Sequence, residues 1–400
     1  MNFKDDFKML NKNIVYFDNG ATTMKPDSVI ESMDNYYYNY SSNAHRGDYK
    51  ISLKASTEYE NVREKVKDFI NADKKEEIVF TSGTTDSLNE IVFGYFKNKL
   101  KQGDEVLITK SEHASNIIPW FVLSNEIGIN IKYIPLTNNH TVTLENVINS
   151  ITENTKVISL AHVTNVIGDI RPIKEIVEYA HEKGILVVVD GAQSVGHIKT
   201  NVKDLGIDFL AFSAHKMLGP MGVGVLYGKY DLLNEVTPVR YGGGMNVSFL
   251  NKDKIEYKNL PYRLEAGTQN ISGVIGLGAA IDYINNIGID NIEEMCDELK
   301  EYIVSKLKKI PHIILYNEDV KGSTIAFNVK DVFAQDTALY LDKYNICVRS
   351  GSHCAKKLQD ELEIKNTCRV SIYFYNTKED ADKLINALKN ENILEESIGV

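Results

Sequence analysis

Ile185-Leu186-Val187-Val188-Val189-Asp190-Gly191-Ala192-Gln193 sets five consecutive apolar residues directly against a carboxylate and a turn of small residues. A short apolar run rich in β-branched residues and closed by Asp-Gly reads as a strand buried on both faces, as strands are when helices cover a parallel sheet. Comparable runs flank it: Val106-Leu107-Ile108, Ile131-Lys132-Tyr133-Ile134 and Val157-Ile158-Ser159-Leu160 before, and Phe209 to Phe212 after. Helical spacing covers Leu144 to Ser150 and Pro172 to Lys183 between them. Strands alternating with helices predict an α/β fold with a mainly parallel sheet. Ligands of such sheets gather outside the carboxyl ends of the strands. Polar residues recur at those ends, as Glu112-His113, His162-Val163-Thr164-Asn165, Asp190-Gly191-Ala192-Gln193 and Ser213-Ala214-His215-Lys216, and form one candidate site.

Within that site Lys216 follows a buried strand and precedes the sharp turn Met217-Leu218-Gly219-Pro220, which leads into Gly222 to Tyr227. A free lysine has a pKa of about 10.4 and is a poor nucleophile at neutral pH until its charge is removed. Pyridoxal phosphate removes it by condensing with the amine, which makes Lys216 a candidate covalent cofactor anchor. A surface lysine in a turn is the competing reading of those four residues alone. Asp190 stands where an unpaired charge is costly, so its carboxylate calls for a cation such as a pyridinium nitrogen, or else caps the next helix. His113 is either a loop histidine or a flat ring able to stack on a cofactor and move protons.

Ile78 to Thr81, then Ser82-Gly83-Thr84-Thr85-Asp86, runs from a strand through a small-residue turn into a helix. Free backbone N–H groups and the Thr84 and Thr85 hydroxyls there make an anion site, where a plain helix cap requires one such residue. The stretch matches neither GxGxxG nor GxxxxGK[ST], which argues against dinucleotides and nucleoside triphosphates. Ile14 to Phe17 reads as a strand that ends in Asp18-Asn19-Gly20-Ala21-Thr22-Thr23, a loop able to approach a ligand closely. Helices are expected from Pro26 to about Tyr40 and from Ser56 to Ile70. In the polar connection between them, His45 and Arg46 face either a pocket or solvent.

The 400 residues, 43% hydrophobic and 25% charged, are enough for two domains or one large and one small. With 45 basic against 55 acidic residues the net charge is -10, which argues against nucleic acid or an anionic membrane as main partner. No apolar run approaches the roughly 20 residues of a membrane span, and the N-terminus lacks a signal-peptide pattern, so a cytoplasmic location is expected. Four cysteines, Cys296, Cys347, Cys354 and Cys368, form neither a disulfide framework nor a zinc motif. No metal is expected.

The segment from Val239 to Asn270 breaks the strand-helix rhythm and reads as a functional loop. Ile271 to Asn286 and Ile289 to Lys309 follow as long helices, then shorter strands and helices suited to a smaller C-terminal domain, on which the N-terminal helix packs. Cys354 lies there in the polar loop Arg349-Ser350-Gly351-Ser352-His353-Cys354-Ala355, where a thiolate can form. The other three cysteines read as inert buried residues.

Taken in order, Asp18 to Thr23, Gly83-Thr84-Thr85, Glu112-His113, Asn165, Asp190 to Gln193, Ser213 to Lys216, Arg263 to Thr268 and Arg349 to Ala355 resemble the motifs of class V pyridoxal-phosphate enzymes of aspartate aminotransferase fold. More narrowly, the chain is similar to Suf-type cysteine desulfurases and selenocysteine lyases. The resemblance implies a large fold-type-I domain with a mainly parallel sheet and a smaller C-terminal α/β domain. It implies that pyridoxal 5'-phosphate is bound covalently by Lys216, with Asp190 at the pyridine nitrogen, Gln193 at the phenolic oxygen and His113 over the ring. Thr84, Thr85, Ser213 and His215 are implied to hold the phosphate, joined by Thr268 from the neighbouring subunit of a homodimer. Ala21, Asn165, Arg349 and Arg369 are implied to bind substrate, a guanidinium being suited to grip a carboxylate through two hydrogen bonds.

By the same resemblance L-cysteine, or L-selenocysteine, is the substrate. Cys354 becomes a persulfide for a Suf-type sulfur-acceptor protein, in the service of iron-sulfur cluster assembly. The expected division is 1–25 as an N-terminal segment beside the small domain and site, 26–270 as the cofactor domain, and 271–400 as connecting helices plus the small domain. Ser352 and the Ala355-Lys356-Lys357 that follows Cys354 depart from the paired histidines and nearby proline of many Suf-type members. Another class V activity, an aminotransferase or epimerase, would keep Lys216 and Asp190 without depending on Cys354. A non-catalytic relative would have no reason to retain Lys216, Asp190, His113 and Arg349 together.

Overall fold

A computed structural model describes residues 3–250 and 254–398. After a two-residue strand β1 (Val15–Tyr16), seven strands make the central sheet: β2 (Ile78–Thr81), β3 (Glu105–Thr109), β4 (Asn130–Ile134), β5 (Thr155–Ala161), β6 (Leu186–Asp190), β7 (Phe209–Ser213) and β8 (Gly224–Gly228). Their order is β2-β8-β7-β6-β5-β3-β4, with every neighbouring pair parallel except those of β8, which is antiparallel to both β2 and β7. The α/β reading with a mainly parallel sheet therefore holds. Alternate residues of β6 explain its continuous apolar run. Val187 and Val189 enter one core with Ile158 and Leu160 of β5 and Leu210 of β7, while Val188 enters a second core with Val157 and Phe209. The two-residue period thus places apolar side chains on both faces of the sheet. Helix Ile173–Glu182 covers one face by burying Ile173, Ile176, Val177 and Ala180, one stripe at helical spacing.

The helix expected from Ser56 begins at Lys50 and runs to Phe69, because its first turns are largely exposed and carry little apolar periodicity. The segment after Gly83 is helical over Thr84–Asn89, then π-helical over Glu90–Tyr95. Helix Ile118–Ile127 has no counterpart among the sequence-based expectations: it is apolar almost all round, so it shows no amphipathic stripe. The expected loop from Val239 to Asn270 contains a hairpin, β9 (Asn246–Leu250) with β10 (Lys254–Tyr257), and residues 251–253 of that stretch lie outside the described residues.

Helices Ile271–Ile287 and Ile289–Leu307 lead to β11 (Ile313–Leu315), β12 (Thr324–Val329), β13 (Ile346–Cys347), β14 (Arg349–Gly351) and β15 (Thr367–Ser371). Four of these form an antiparallel sheet of order β11-β12-β15-β14, and β13 pairs with β1. Helix Asp27–Asn39 packs on Ile271–Ile287, whereas the first residues reach the C-terminal part through Phe3 and Phe7, whose rings lie 5.1 Å from Phe374 and 4.8 Å from Tyr375. No helix among the described residues is long and apolar enough to cross a membrane. Two sheets thus face one region: the carboxyl ends of β3, β5, β6 and β7 on one side, and the register pair Arg349 and Arg369 on the other.

Candidate active site

A cavity of about 340 Å³ lies at that junction. It is lined by every residue that the resemblance implies for catalysis, cofactor or substrate except Thr268, whereas Glu112, His162 and Thr164 of the strand-end stretches do not line it. Lys216 ends a 3-10 turn, Ala214–Lys216, that follows β7 directly. Burial lowers its pKa to about 8, against the opposing pull of Asp190. Its amine makes no hydrogen bond among the described residues, so nothing in them competes for it. Asp190, at the end of β6, is 4% exposed and accepts a hydrogen bond from Ala192 N at 2.9 Å. Burial raises its pKa to about 6, with the Ala192 N–H and the Lys216 charge opposing. No ion pair satisfies this carboxylate among the described residues.

His113 caps the turn after β3, its Nδ1 accepting from Ser115 N at 3.1 Å. Burial, then the charges of Lys216 and Arg369, lower its pKa to about 4, so the ring is neutral at physiological pH with its proton on Nε2. Across the cavity, Thr84 N donates to Ser213 Oγ at 2.7 Å and Thr85 Oγ1 lies 2.7 Å from Ser115 Oγ. Gly224 lets β8 lie flush behind this cup, since a Cβ there would sit 2.4 Å from Gly83 Cα. His215 is held neutral by burial, its pKa lowered to about 4, and its buried Nδ1 has no partner. Gln193 donates through Nε2 to the Gly20 carbonyl at 2.8 Å.

Arg349 and Arg369 converge on Asp18: Arg349 Nη2 donates to its Oδ2 at 2.8 Å and Arg369 Nη2 to its Oδ1 at 3.2 Å. Arg369 Nη1 also donates to the Asn165 carbonyl at 2.8 Å, and its Nε is buried without a partner. The sequence reading gives Asp18 no role of its own, although it follows a strand as Asp190 does. Asn165 Nδ2 donates to the His353 carbonyl and Ala114 N to the Cys354 carbonyl, at 2.7 and 2.8 Å. These bonds hold the cysteine loop over the cavity, with His353 and Cys354 both in left-handed backbone at φ 53°. Each such residue costs about 1–2 kcal/mol, which the surrounding bonds offset.

Cys354 is the exposed cysteine of the four. Cys296 and Cys368 are buried as expected, whereas Cys347 is half-buried, and burial raises the thiol pKa of all three, which leaves them poor nucleophiles. Thr268 is exposed outside the cavity, where Asn43 Nδ2 donates to its Oγ1 at 3.4 Å. His45 and Arg46 line a separate cleft near it, with Arg46 Nη2 donating to the Gly243 carbonyl at 2.8 Å. Val163 and Ala192, inside the strand-end stretches of the sequence reading, also line the main cavity, as do Ser115 and Ala161, which nothing in their local sequence marks. The residue set fits pyridoxal 5'-phosphate: a free amine, an unpaired buried carboxylate for a pyridinium, a neutral flat ring, and a cup of hydroxyl and backbone donors beside the orphaned Nδ1 of His215.

The sequence pattern of the aminotransferase class-V family matches residues 15–384. A probable cysteine desulfurase of Halalkalibacterium halodurans is 45% identical over 376 residues, 94% of this chain and 92% of that protein. A probable cysteine desulfurase of Staphylococcus epidermidis is 42% identical over 384 residues, 96% of this chain and 93% of that protein. The apo structure of a cysteine desulfurase from Thermococcus onnurineus NA1 superposes with a TM-score of 0.93 at 37% identity, covering 96% of each chain. The cysteine desulfurase CsdA of Escherichia coli, in an S-sulfonic acid form, superposes with a TM-score of 0.92 at 34% identity, covering 98% of each. The architecture is the aspartate-aminotransferase-like one, and the chain belongs to the aminotransferase class-V family, among its cysteine desulfurases.

Proposed function

We propose that this enzyme is a pyridoxal 5'-phosphate-dependent cysteine desulfurase that converts L-cysteine to L-alanine and carries the sulfur as a persulfide on Cys354. The observation that supports it most directly is the placement of an exposed cysteine on the same cavity as Lys216, Asp190 and Arg349. When bound, the cofactor draws electrons from the α- and β-carbons of the substrate. Lys216 anchors it, and Asp190 keeps its ring nitrogen protonated. Thr84, Thr85, Ser213 and His215 hold its phosphate, and Gln193 its phenolic oxygen.

Arg349 and Arg369 grip the substrate carboxylate beside Ala21 and Asn165, with Asp18 fixing both guanidinium planes. The amine of Lys216, freed when substrate takes its place, removes the α-proton. The Cys354 thiolate then attacks the substrate sulfur: an S–S bond forms, the C–S bond breaks, and its electron pair stays on the β-carbon, which takes up a proton to become the methyl of alanine. Sulfur is oxidised as carbon is reduced, so no outside oxidant enters. The Lys216 ammonium gives its proton back to the α-carbon, and neutral His113, on the same cavity, accepts and returns protons.

Thr268 lies outside its own cavity and serves the site of a second copy, which makes the active unit a homodimer. The chain divides into 1–25, 26–270 and 271–400 as N-terminal segment, cofactor domain and connecting helices with the small domain. A Suf-type acceptor protein takes the sulfur from the exposed thiol for iron-sulfur cluster assembly in the cytoplasm. The test is release of alanine and sulfide from L-cysteine by the cofactor-loaded enzyme with a thiol reductant. Equal amounts of the two products are expected, and loaded enzyme that forms neither would overturn the reading.

A further inference from the structure

The backbone carrying Lys216 is held more tightly than a turn requires. The carbonyl of His215, one peptide before the lysine, accepts from Thr23 N at 3.0 Å, Thr22 Oγ1 at 3.0 Å, Thr23 Oγ1 at 3.2 Å and Lys25 Nζ at 3.2 Å. The carbonyl of Lys216 itself lies 2.9 Å from His197 Nε2. Two residues on, Leu218 is buried at φ 66°, a left-handed backbone that leucine seldom adopts, and its N–H donates to Thr23 Oγ1 at 2.8 Å. Thr23 thus ties the His215–Lys216 peptide to the Met217–Leu218 peptide, and His197 meets the one between them.

Lys25 has no carboxylate in ion-pair range among the described residues. Its ammonium is turned onto oxygens: Thr22 Oγ1 at 2.9 Å, the Thr23 carbonyl and the His215 carbonyl. Burial lowers its pKa to about 8. A lysine free to reach water would gain more by doing so, so its placement against this peptide is a specific one. The same loop reaches the substrate side, where Asp18 holds Arg349 and Arg369 and Gly20 N donates to Ser371 Oγ at 2.8 Å.

We propose that Thr23 and Lys25 are positioning residues for Lys216, clamping the His215–Lys216 peptide so that only the side chain moves when the amine leaves the cofactor to take the α-proton. Neither lines the cavity. The inference rests on Lys216 being the cofactor lysine and deepens that reading.

Hydrogen-exchange mass spectrometry on apo and loaded protein tests it, comparing wild type with Lys25→Met and Lys25→Arg. In Lys25→Met the amides of 217–219 should exchange about tenfold faster in both forms, as a locally loosened turn would. The loaded variant should keep its KM for L-cysteine within about twofold while kcat falls about tenfold or more. Exchange of the α-proton of L-alanine into D2O, which does not involve Cys354, should fall in proportion, and Lys25→Arg should recover part of both losses. Wild-type amide protection and alanine exchange in Lys25→Met would overturn the proposal, as would a raised KM with unchanged kcat. If Lys25→Met does not fold, Thr22→Val removes one donor to the same carbonyl and is judged by the same readouts. Loaded wild type that exchanges alanine but yields no alanine from cysteine would refute the desulfurase reading and leave the clamp to be decided by the amide data.

Discussion

Glu112→Ala should destabilise the apo protein by about 4 kcal/mol, through the floor of the site rather than its chemistry. Glu112 and Arg171 form an ion pair in which neither side chain is exposed. Glu112 Oε2 also accepts from Ala161 N at 2.8 Å and Asn116 Nδ2 at 2.9 Å, tying the His113 turn to the end of β5. Removing one partner of such a pair costs about 3–5 kcal/mol, because the remaining charge stays buried. The unpaired Ala161 N–H adds about 1–3 kcal/mol. Asp169, with Oδ2 3.6 Å from Arg171 Nε, keeps part of the compensation and holds the total near the middle of the ion-pair range. At about 2.1 cal/mol/K per residue over 400 residues, 4 kcal/mol lowers the unfolding midpoint by about 5 °C. Scanning calorimetry of the cofactor-free protein is the assay, since bound cofactor would add its own stabilisation. Glu112→Leu combined with Arg171→Met, which removes both charges, should recover at least half of the loss. A midpoint within about 1 °C of wild type for Glu112→Ala would refute the reasoning.

Lys216→Ala should abolish the borohydride-fixable adduct with the cofactor; a labelled cofactor fixed to another lysine would contradict the assignment. Cys354→Ala should still bind cofactor and exchange the α-proton of L-alanine, yet lose sulfur transfer, and mass spectrometry after one turnover of wild type should find the added sulfur on Cys354 rather than Cys347 or Cys368. Because burial lowers the Lys216 amine to about 8, apo protein should take up cofactor about tenfold faster per pH unit below pH 7 and level off above 8, as the neutral amine becomes the main form. A rate still climbing tenfold per unit from pH 8 to 10 would show an ordinary exposed lysine. Thr268→Val should weaken cofactor binding, and mixing it with Lys216→Ala protomers should restore activity, since one site of the hybrid then has both residues; a fully active monomer in sedimentation would rule this out.

The apolar run before Asp190 is enough to place β6 in a covered parallel sheet, because a strand buried on both faces leaves no polar alternation and few other folds accommodate it. The strand-end positions of Lys216 and Asp190 follow from the same pattern, as each sits at or just past the end of a buried run. The early start of helix Lys50–Phe69 and the nearly all-apolar helix Ile118–Ile127 are not legible, since neither shows a one-sided stripe where it departs from expectation. Tertiary structure alone brings Arg349 and Arg369 onto Asp18, 331 and 351 residues away in sequence. It also places Lys25 against the His215 carbonyl and the Cys354 carbonyl against the backbone N–H of Ala114. Local pattern reports which side chains are buried and at what period; which distant loops then share an atom is set by the packing of the two sheets, and only the folded chain contains that.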